Sequence, residues 1–238
     1  MSELLVSREA ATTILTLNRA DKANALGAEL VEDLHAAVTA AEQDGTRLLV
    51  LSGAGRNFCA GFDFGSFEEL SAAELSWRFV RIEQLLQRLF HAPFATLALV
   101  QGGAFGAGAD LVAVCADRVC APDARLRMPG WKFGLALGTR RLAARVGAEA
   151  ARRMLAAAQV VQADEALRLG LATQVQAVDA WPGSVASAQA AAGSLTADAQ
   201  ARLNALTWAD TRAADMAALI DSLTADDLKA RIRAFRAA

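Results

Sequence analysis

The sequence predicts an α/β layered domain with largely parallel strand pairing, followed by a helical C-terminal region. Short apolar runs alternate with amphipathic stretches of helical period over most of the 238 residues, as when strands lie side by side through crossover helices. Two of the runs, 48–52 and 94–100, are almost wholly apolar and break into loops of glycine and alanine. From about Val185 onward, alanine-rich segments with helical period replace the alternation.

Each element has its own signal. Residues 4–8 and 13–17 read as opening strands. A helix over 27–44 places Leu30, Val31, Leu34, Val38 and Ala41 on one face, with Gly45 just past its end. The run 48–52 has the composition of a fully buried strand. Ser71-Ala72-Ala73-Glu74 is a capping-box pattern that starts a helix running to about Arg88. Pro93 punctuates, and the strand 94–100 follows. Beyond its loop, a short helix from Ala107–Gly108 carries Leu111 to Val114. Strands are expected at 117–121, 125–128 and 172–178, with helical segments over 139–157 and 163–169. Pro182-Gly183 marks a junction between an α/β core, 1–182, and a helical region, 183–238, expected to pack on the core or on a neighbouring subunit. Thr224-Ala225-Asp226-Asp227 supplies a start signal for the last helix, whose basic residues suit its C-terminal half.

Composition narrows the function classes. Hydrophobic residues are 54% and charged residues 21% of the chain, which suits a compact core. A net charge of −2 gives no electrostatic reason to expect nucleic acid or an anionic membrane as partner. The three cysteines make no CxxC pair and read as reduced, buried thiols of a cytoplasmic protein. The N-terminus lacks the basic leader and apolar core of a signal peptide. No apolar run reaches membrane-spanning length. His35 and His91 stand alone, without ligand-spaced partners, so no metal site is expected. His35 reads as a surface residue and His91 as a helix terminator.

Two loops carry the candidate chemistry. Gln101-Gly102-Gly103-Ala104-Phe105-Gly106-Ala107-Gly108-Ala109-Asp110 has one bulky residue, so its backbone N–H groups can approach a ligand closely. If Ala107 opens a helix, its amide is an unpaired donor at the positive end, one turn from Asp110. The loop from Gly53 to Asp63 also follows a buried strand. Two strand ends running into small residues can each present one amide to the same atom, the minimal oxyanion hole. Tight turns between buried strands are the plainer reading of the same residues.

At this point the sequence resembles the crotonase, or enoyl-CoA hydratase/isomerase, superfamily. The resemblance rests on Leu17 to Leu26, Ser52 to Asp63, Val100 to Asp117, and a weaker block from Pro129 through Gly138-Thr139-Arg140-Arg141-Leu142, in family order and spacing. It implies a spiral of ββα units with a helical C-terminal region for trimerisation or as a lid, assembled as a homotrimer or a hexameric dimer of trimers. It implies an acyl-CoA substrate, coenzyme A being part of the substrate rather than a separate cofactor. By matched position, the N–H groups of Phe62 and Ala107 form the oxyanion hole around the thioester oxygen. Lys22, Ala23 and Ala25 flank coenzyme A, and Ala60 and Asp63 lie near its adenine.

The departures from the family are informative. Family hydratases set two carboxylates across the site, one to handle water and one the α-proton. Here the first position holds Asp110, shorter than the usual glutamate, and the second holds Gly130. The loop 133–138 is shorter than usual and offers no acid. A single carboxylate still suits double-bond isomerisation, the orientation of a water, decarboxylation or thioester hydrolysis, and a plain helix-start acid is its alternative reading. If Asp110 is buried beside Leu111 and Phe105, its pKa should rise. Glu68 and Glu69 read as solvated loop residues, Trp131 as a space filler that narrows the acyl pocket, and Cys59 as a poor nucleophile without a basic partner. The glycines follow neither G-x-G-x-x-G nor a P-loop, and no G-x-S-x-G elbow is present. Two functions stand: an enzyme that stabilises a thioester enolate, with Asp110 moving protons, or a catalytically impaired binding or accessory protein on the same scaffold.

Overall fold

The computed structural model describes residues 2–237. Its main sheet orders six strands as β1-β2-β3-β4-β6-β9. The antiparallel hairpin β1 (Leu4–Glu9) and β2 (Thr12–Leu17) opens it, and β2 then pairs in parallel with β3 (Leu48–Gly53). Parallel pairing continues through β4 (Ala95–Val100), β6 (Asp117–Cys120) and β9 (Gln174–Val175). Helix α1 (Ala28–Gln43) crosses from β2 to β3, and α2 (Ala72–Phe90) from β3 to β4. The α2 capping box forms in both directions, Ser71 Oγ accepting from the Glu74 N–H at 3.2 Å and Glu74 Oε2 from the Ser71 N–H at 2.7 Å.

β3 is apolar on both faces because both are covered. Leu49 and Leu51 join the large core with α1 and α2. Leu48 and Val50 face the other way, with Leu97, Leu99 and Val119, and are covered by α7 (Trp181–Ser194) through Trp181, Val185, Ala188 and Ala192. Arg47 fastens that helix by donating to the carbonyls of Ala192 at 2.8 Å and Leu195 at 2.6 Å. Pro182 sits in the first turn of α7, where its missing N–H costs nothing.

A second, three-stranded sheet pairs β5 (Gly103–Phe105), within the glycine loop, in parallel with β7 (Arg125–Arg127), and β8 (Val161–Gln162) antiparallel to β7. The sequence reading has β5 as loop and misses β8. The segment expected as a strand over 172–178 pairs only at Gln174–Val175. The helical stretch 139–157 is two helices, α4 (Thr139–Val146) and α5 (Ala148–Ala157), broken at Gly147, whose φ of 80° an α-helix cannot hold. Helices α3 (Ala107–Val114) and α6 (Ala163–Leu169) start where expected. The C-terminal helices are α8 (Ala197–Thr207), α9 (Arg212–Thr224) and α10 (Leu228–Ala237). Leu219, Leu223, Leu228 and Ile232 bury α9 and α10 against the core. No helix among the described residues is long and apolar enough to cross a membrane.

Candidate active site

The parallel strands β3 and β4 end at the same edge of the sheet, and the two loops leaving them lie against each other. The Phe58 and Cys59 N–H groups donate to the carbonyls of Gln101 at 2.9 Å and Gly103 at 3.1 Å, and Phe105 N–H returns to Cys59 at 2.9 Å. On the other flank, Leu26 N–H donates to Gly61 at 2.7 Å, and Asp63 N–H to Leu26 at 3.2 Å. The buried Asn24 braces the stretch, its amide donating to the carbonyls of Ala54, Asn57 and Phe58. Close approach requires two glycines. A Cβ on Gly61, at φ +86°, would overlap the Phe105 carbonyl and lie 3.1 Å from the Ala107 nitrogen; one on Gly108 would overlap the Cys59 carbonyl.

This clasp engages amides beside two that are left over. Among the described residues neither the Phe62 N–H nor the Ala107 N–H has an acceptor, although Phe62 is 7% and Ala107 4% exposed. Both residues line one cavity. Ala107 is the first residue of α3, so its amide is also a helix-end donor. The Phe62 side chain is held by stacking on Phe79, centroids 4.3 Å apart, with the Arg78 guanidinium 4.4 Å from the ring.

Asp110 lines the same cavity from the first turn of α3. It is 4% exposed, and its Oδ1 is buried without a hydrogen-bond partner. Burial pushes its pKa up to about 7, against a downward pull from Arg141, while Glu83 adds to the rise. A helix-start acid whose charge is satisfied by the dipole would be lowered instead. Gly138, the N-cap of α4, packs directly on Asp110 Oδ1, where any Cβ would overlap it.

The rest of the cavity is apolar. Phe64, Phe79, Phe133, Leu135, Leu137 and Phe235 close it, and no other ionisable side chain lines it among the described residues. Gly130 lines it too, at the start of a 3-10 turn, and a Cβ there would be 3.1 Å from the Leu135 carbonyl. Trp131, 46% exposed, also lines it and donates its indole N–H to Thr139 at 3.0 Å.

The remaining sequence-predicted residues lie around the clasp. Ala60 N–H donates to the Ala23 carbonyl at 2.9 Å, Ala25 is buried, and Lys22 is exposed at the end of a 3-10 turn. The Asp63 carboxylate is already engaged by Arg19 at 3.0 Å and the Gly65 N–H at 2.8 Å, so it has little to offer a ligand beyond its backbone. Glu68 pairs with Arg233 of α10. His91 caps α2 as expected, but His35 is buried, with Nε2 2.9 Å from the Arg81 carbonyl, rather than at the surface. The Cys59 thiol is pushed up to about 12 by burial, which removes it as a nucleophile. Among the described residues no three His, Cys, Asp or Glu side chains come together as metal ligands. The sequence reading overlooks the buried Glu83, Arg141 and Asp215. A glutamate on the apolar stripe Phe79, Ile82, Leu86 of α2 is the signal that marks the first of them.

The family model for enoyl-CoA hydratase/isomerase matches residues 7–230. A Bordetella parapertussis crystal structure described as an enoyl-CoA hydratase/isomerase superposes with a TM-score of 0.98 at 47% identity, covering 99% of both chains. The crotonyl-CoA hydratase of Syntrophomonas wolfei is 34% identical over 178 residues, 72% of this chain and 68% of that protein. The ethylmalonyl-CoA decarboxylase of Gallus gallus is 32% identical over 188 residues, 74% of this chain and 61% of that protein.

Proposed function

The chain belongs to the enoyl-CoA hydratase/isomerase family and has its crotonase fold, and from that premise we propose that it is an acyl-CoA enzyme running enolate chemistry with Asp110 as its one acid–base group. The observation that carries the reading is the pairing, in one cavity, of two acceptor-free amides with a single ionisable side chain. The thioester oxygen accepts from the Phe62 and Ala107 N–H groups, which stabilise the negative charge it gains as the enolate forms. Lys22, Ala23, Ala25, Ala60 and Asp63 border the path of coenzyme A. The cavity, about 80 Å³, is roughly half the 150 Å³ that holds a benzene, which suits a short acyl group. Exposed Leu203, Leu206 and Ile220 on α8 and α9 supply apolar surface for self-association as a trimer or hexamer, a mass that light scattering reads directly.

With Gly130 opposite, a water has only one carboxylate to hold it, so hydration is disfavoured. Ionised Asp110 takes a proton from one carbon of the acyl group and returns it to another, a net isomerisation. The second reading is decarboxylation: the C–C bond to a substrate carboxylate breaks, its electron pair forms the enolate, and protonated Asp110 delivers the proton to the α-carbon. Burial of Asp110 as a neutral acid and the decarboxylase among the relatives favour that arm. Mass spectrometry of products from enoyl, malonyl-type and saturated CoA esters in heavy-oxygen water tests both. Mass-neutral or carboxyl-shortened products that vanish in Asp110→Asn are expected. Water addition as the main reaction, or turnover unchanged in Asp110→Asn, would overturn the reading. Binding of CoA esters without any turnover would instead identify an accessory protein.

A further inference from the structure

Behind Asp110 lies a cluster of charged side chains that the enolate chemistry does not use. Arg141, in the first turn of α4, is 3% exposed. Its two terminal nitrogens donate to Glu83 of α2, Nη1 to Oε1 at 2.9 Å and Nη2 to Oε2, and Nη1 also donates to Asp215 Oδ2 of α9 at 3.2 Å. Glu83 is 1% and Asp215 8% exposed. On the outside, Asp215 accepts from Arg140 at 2.9 Å and from the Thr211 hydroxyl at 2.6 Å. Glu83, Asp215, Arg141 and Arg140 balance in charge without Asp110.

Two atoms stay without partners in this otherwise satisfied region: the donor Arg141 Nε and the acceptor Asp110 Oδ1, both buried. An unpaired buried polar atom is costly, so a complementary pair of them needs a reason. The first turn of α4 joins them, since it carries both Gly138, packed on Asp110 Oδ1, and Arg141 three residues on. Other charged groups around α3 are turned elsewhere. Arg118 and Arg145 donate to carbonyls at its C-terminal end, Lys132 is exposed, and β4 and β5 carry no charged side chain.

We propose that Arg141, clamped between Glu83 and Asp215, is a positioning residue that sets the charge state in which Asp110 meets its substrate. This rests on Asp110 being the proton carrier. When Asp110 is ionised, its orphan oxygen gains the buried countercharge of Arg141; while the two acids hold Arg141, that pull is blunted and the proton stays on. Glu83 and Asp215 thereby govern Asp110 through Arg141 without touching substrate.

The test is an infrared titration of the ligand-free full chain, in which the C=O stretch of protonated Asp110 is identified by its loss in Asp110→Asn. Glu83→Gln is expected to lower the titration midpoint by about one pH unit, because Arg141 then pulls on Asp110 unopposed. Asp215→Asn, at the outer end of the cluster with Thr211 and Arg140 still beside it, moves the midpoint the same way by less. It also keeps the proposal testable if Glu83→Gln does not fold. Arg141→Lys keeps the charge and holds the midpoint near that of the parent. Folded variants that melt earlier yet titrate like the parent mean a purely structural cluster and overturn the proposal. No substrate is present, so the midpoints stand whether or not any acyl-CoA is turned over.

Discussion

On one side of the cavity, Phe62 and Ala107 offer backbone N–H groups on two interlocked loops; on the other, Asp110 faces Gly130 within a lining of phenylalanine and leucine. The first wall depends on where small residues allow backbones to meet. The second depends on one carboxyl group and on what surrounds it. In the proposed mechanism, oxyanion stabilisation falls to the backbone scaffold and the choice of reaction to a few side chains. The same scaffold carries a relative named as a hydratase and another named as a decarboxylase.

Gly61 is the position where turnover and folding are expected to fail together. Gly61→Ala forces a Cβ into the Phe105 carbonyl at a backbone angle that favours glycine, so the loops separate and the two amides lose their common target. Turnover is expected to fall by roughly 10²–10³-fold, the usual cost of an oxyanion donor, with a loss of about 3 kcal/mol in stability. Steady-state kinetics and denaturant unfolding measure the two losses.

Asp110→Asn breaks the other wall and leaves the first intact. Proton transfer is expected to drop by about 10²–10⁴-fold while CoA-ester binding, read by calorimetry, holds. Its effect on stability has the opposite sign. Folding raises this acid's pKa from about 3.9 unfolded to about 7, so the native state holds the proton more tightly between those values. Stability from this group is full below about pH 4 and is lost as pH rises toward 7. The variant is therefore expected to gain on the order of a few kcal/mol over the parent at pH 8, with the gain vanishing near pH 4. A gain independent of pH would contradict this account of Asp110.

The direction of the pH–rate profile sharpens the choice of reaction. If Asp110 acts first as base, kcat/KM rises as pH passes about 7; if it acts as acid in decarboxylation, kcat/KM falls over the same range. Phe79→Leu is a gentler probe of the first wall. It removes the ring stacked on Phe62 at 4.3 Å, and the expected cost is about 1 kcal/mol with a few-fold loss in kcat. At the smallest end, Glu68→Gln removes a pair exposed on the surface with Arg233 and is expected to leave melting temperature and turnover unchanged.

Much of the first wall was legible in the sequence, and the reason is local. A strand of Leu, Val and Leu ending in glycine, or a Ser-x-x-Glu before an apolar stripe, states its own conformation. Hence β3, β4, the α2 capping box and the start of α3 fall where expected. The misses depend on partners far along the chain. β5 and β8 are strands only because β7 lies between them. His35 is buried because α2 lies against α1. The surroundings of Asp110 were least legible: Glu83, Arg141 and Asp215 come from three helices, and only the tertiary packing brings them together behind one carboxyl.

The most direct measurement of the central claim is solvent-deuterium exchange at the acyl α-carbon of a short acyl-CoA, followed by mass spectrometry with the parent and with Asp110→Asn. Exchange reports enolate formation itself, whichever product follows. The parent is expected to exchange and Asp110→Asn, still binding the ester, to lose exchange by at least about 10²-fold. Equal exchange by the two proteins would mean that Asp110 does not move the proton.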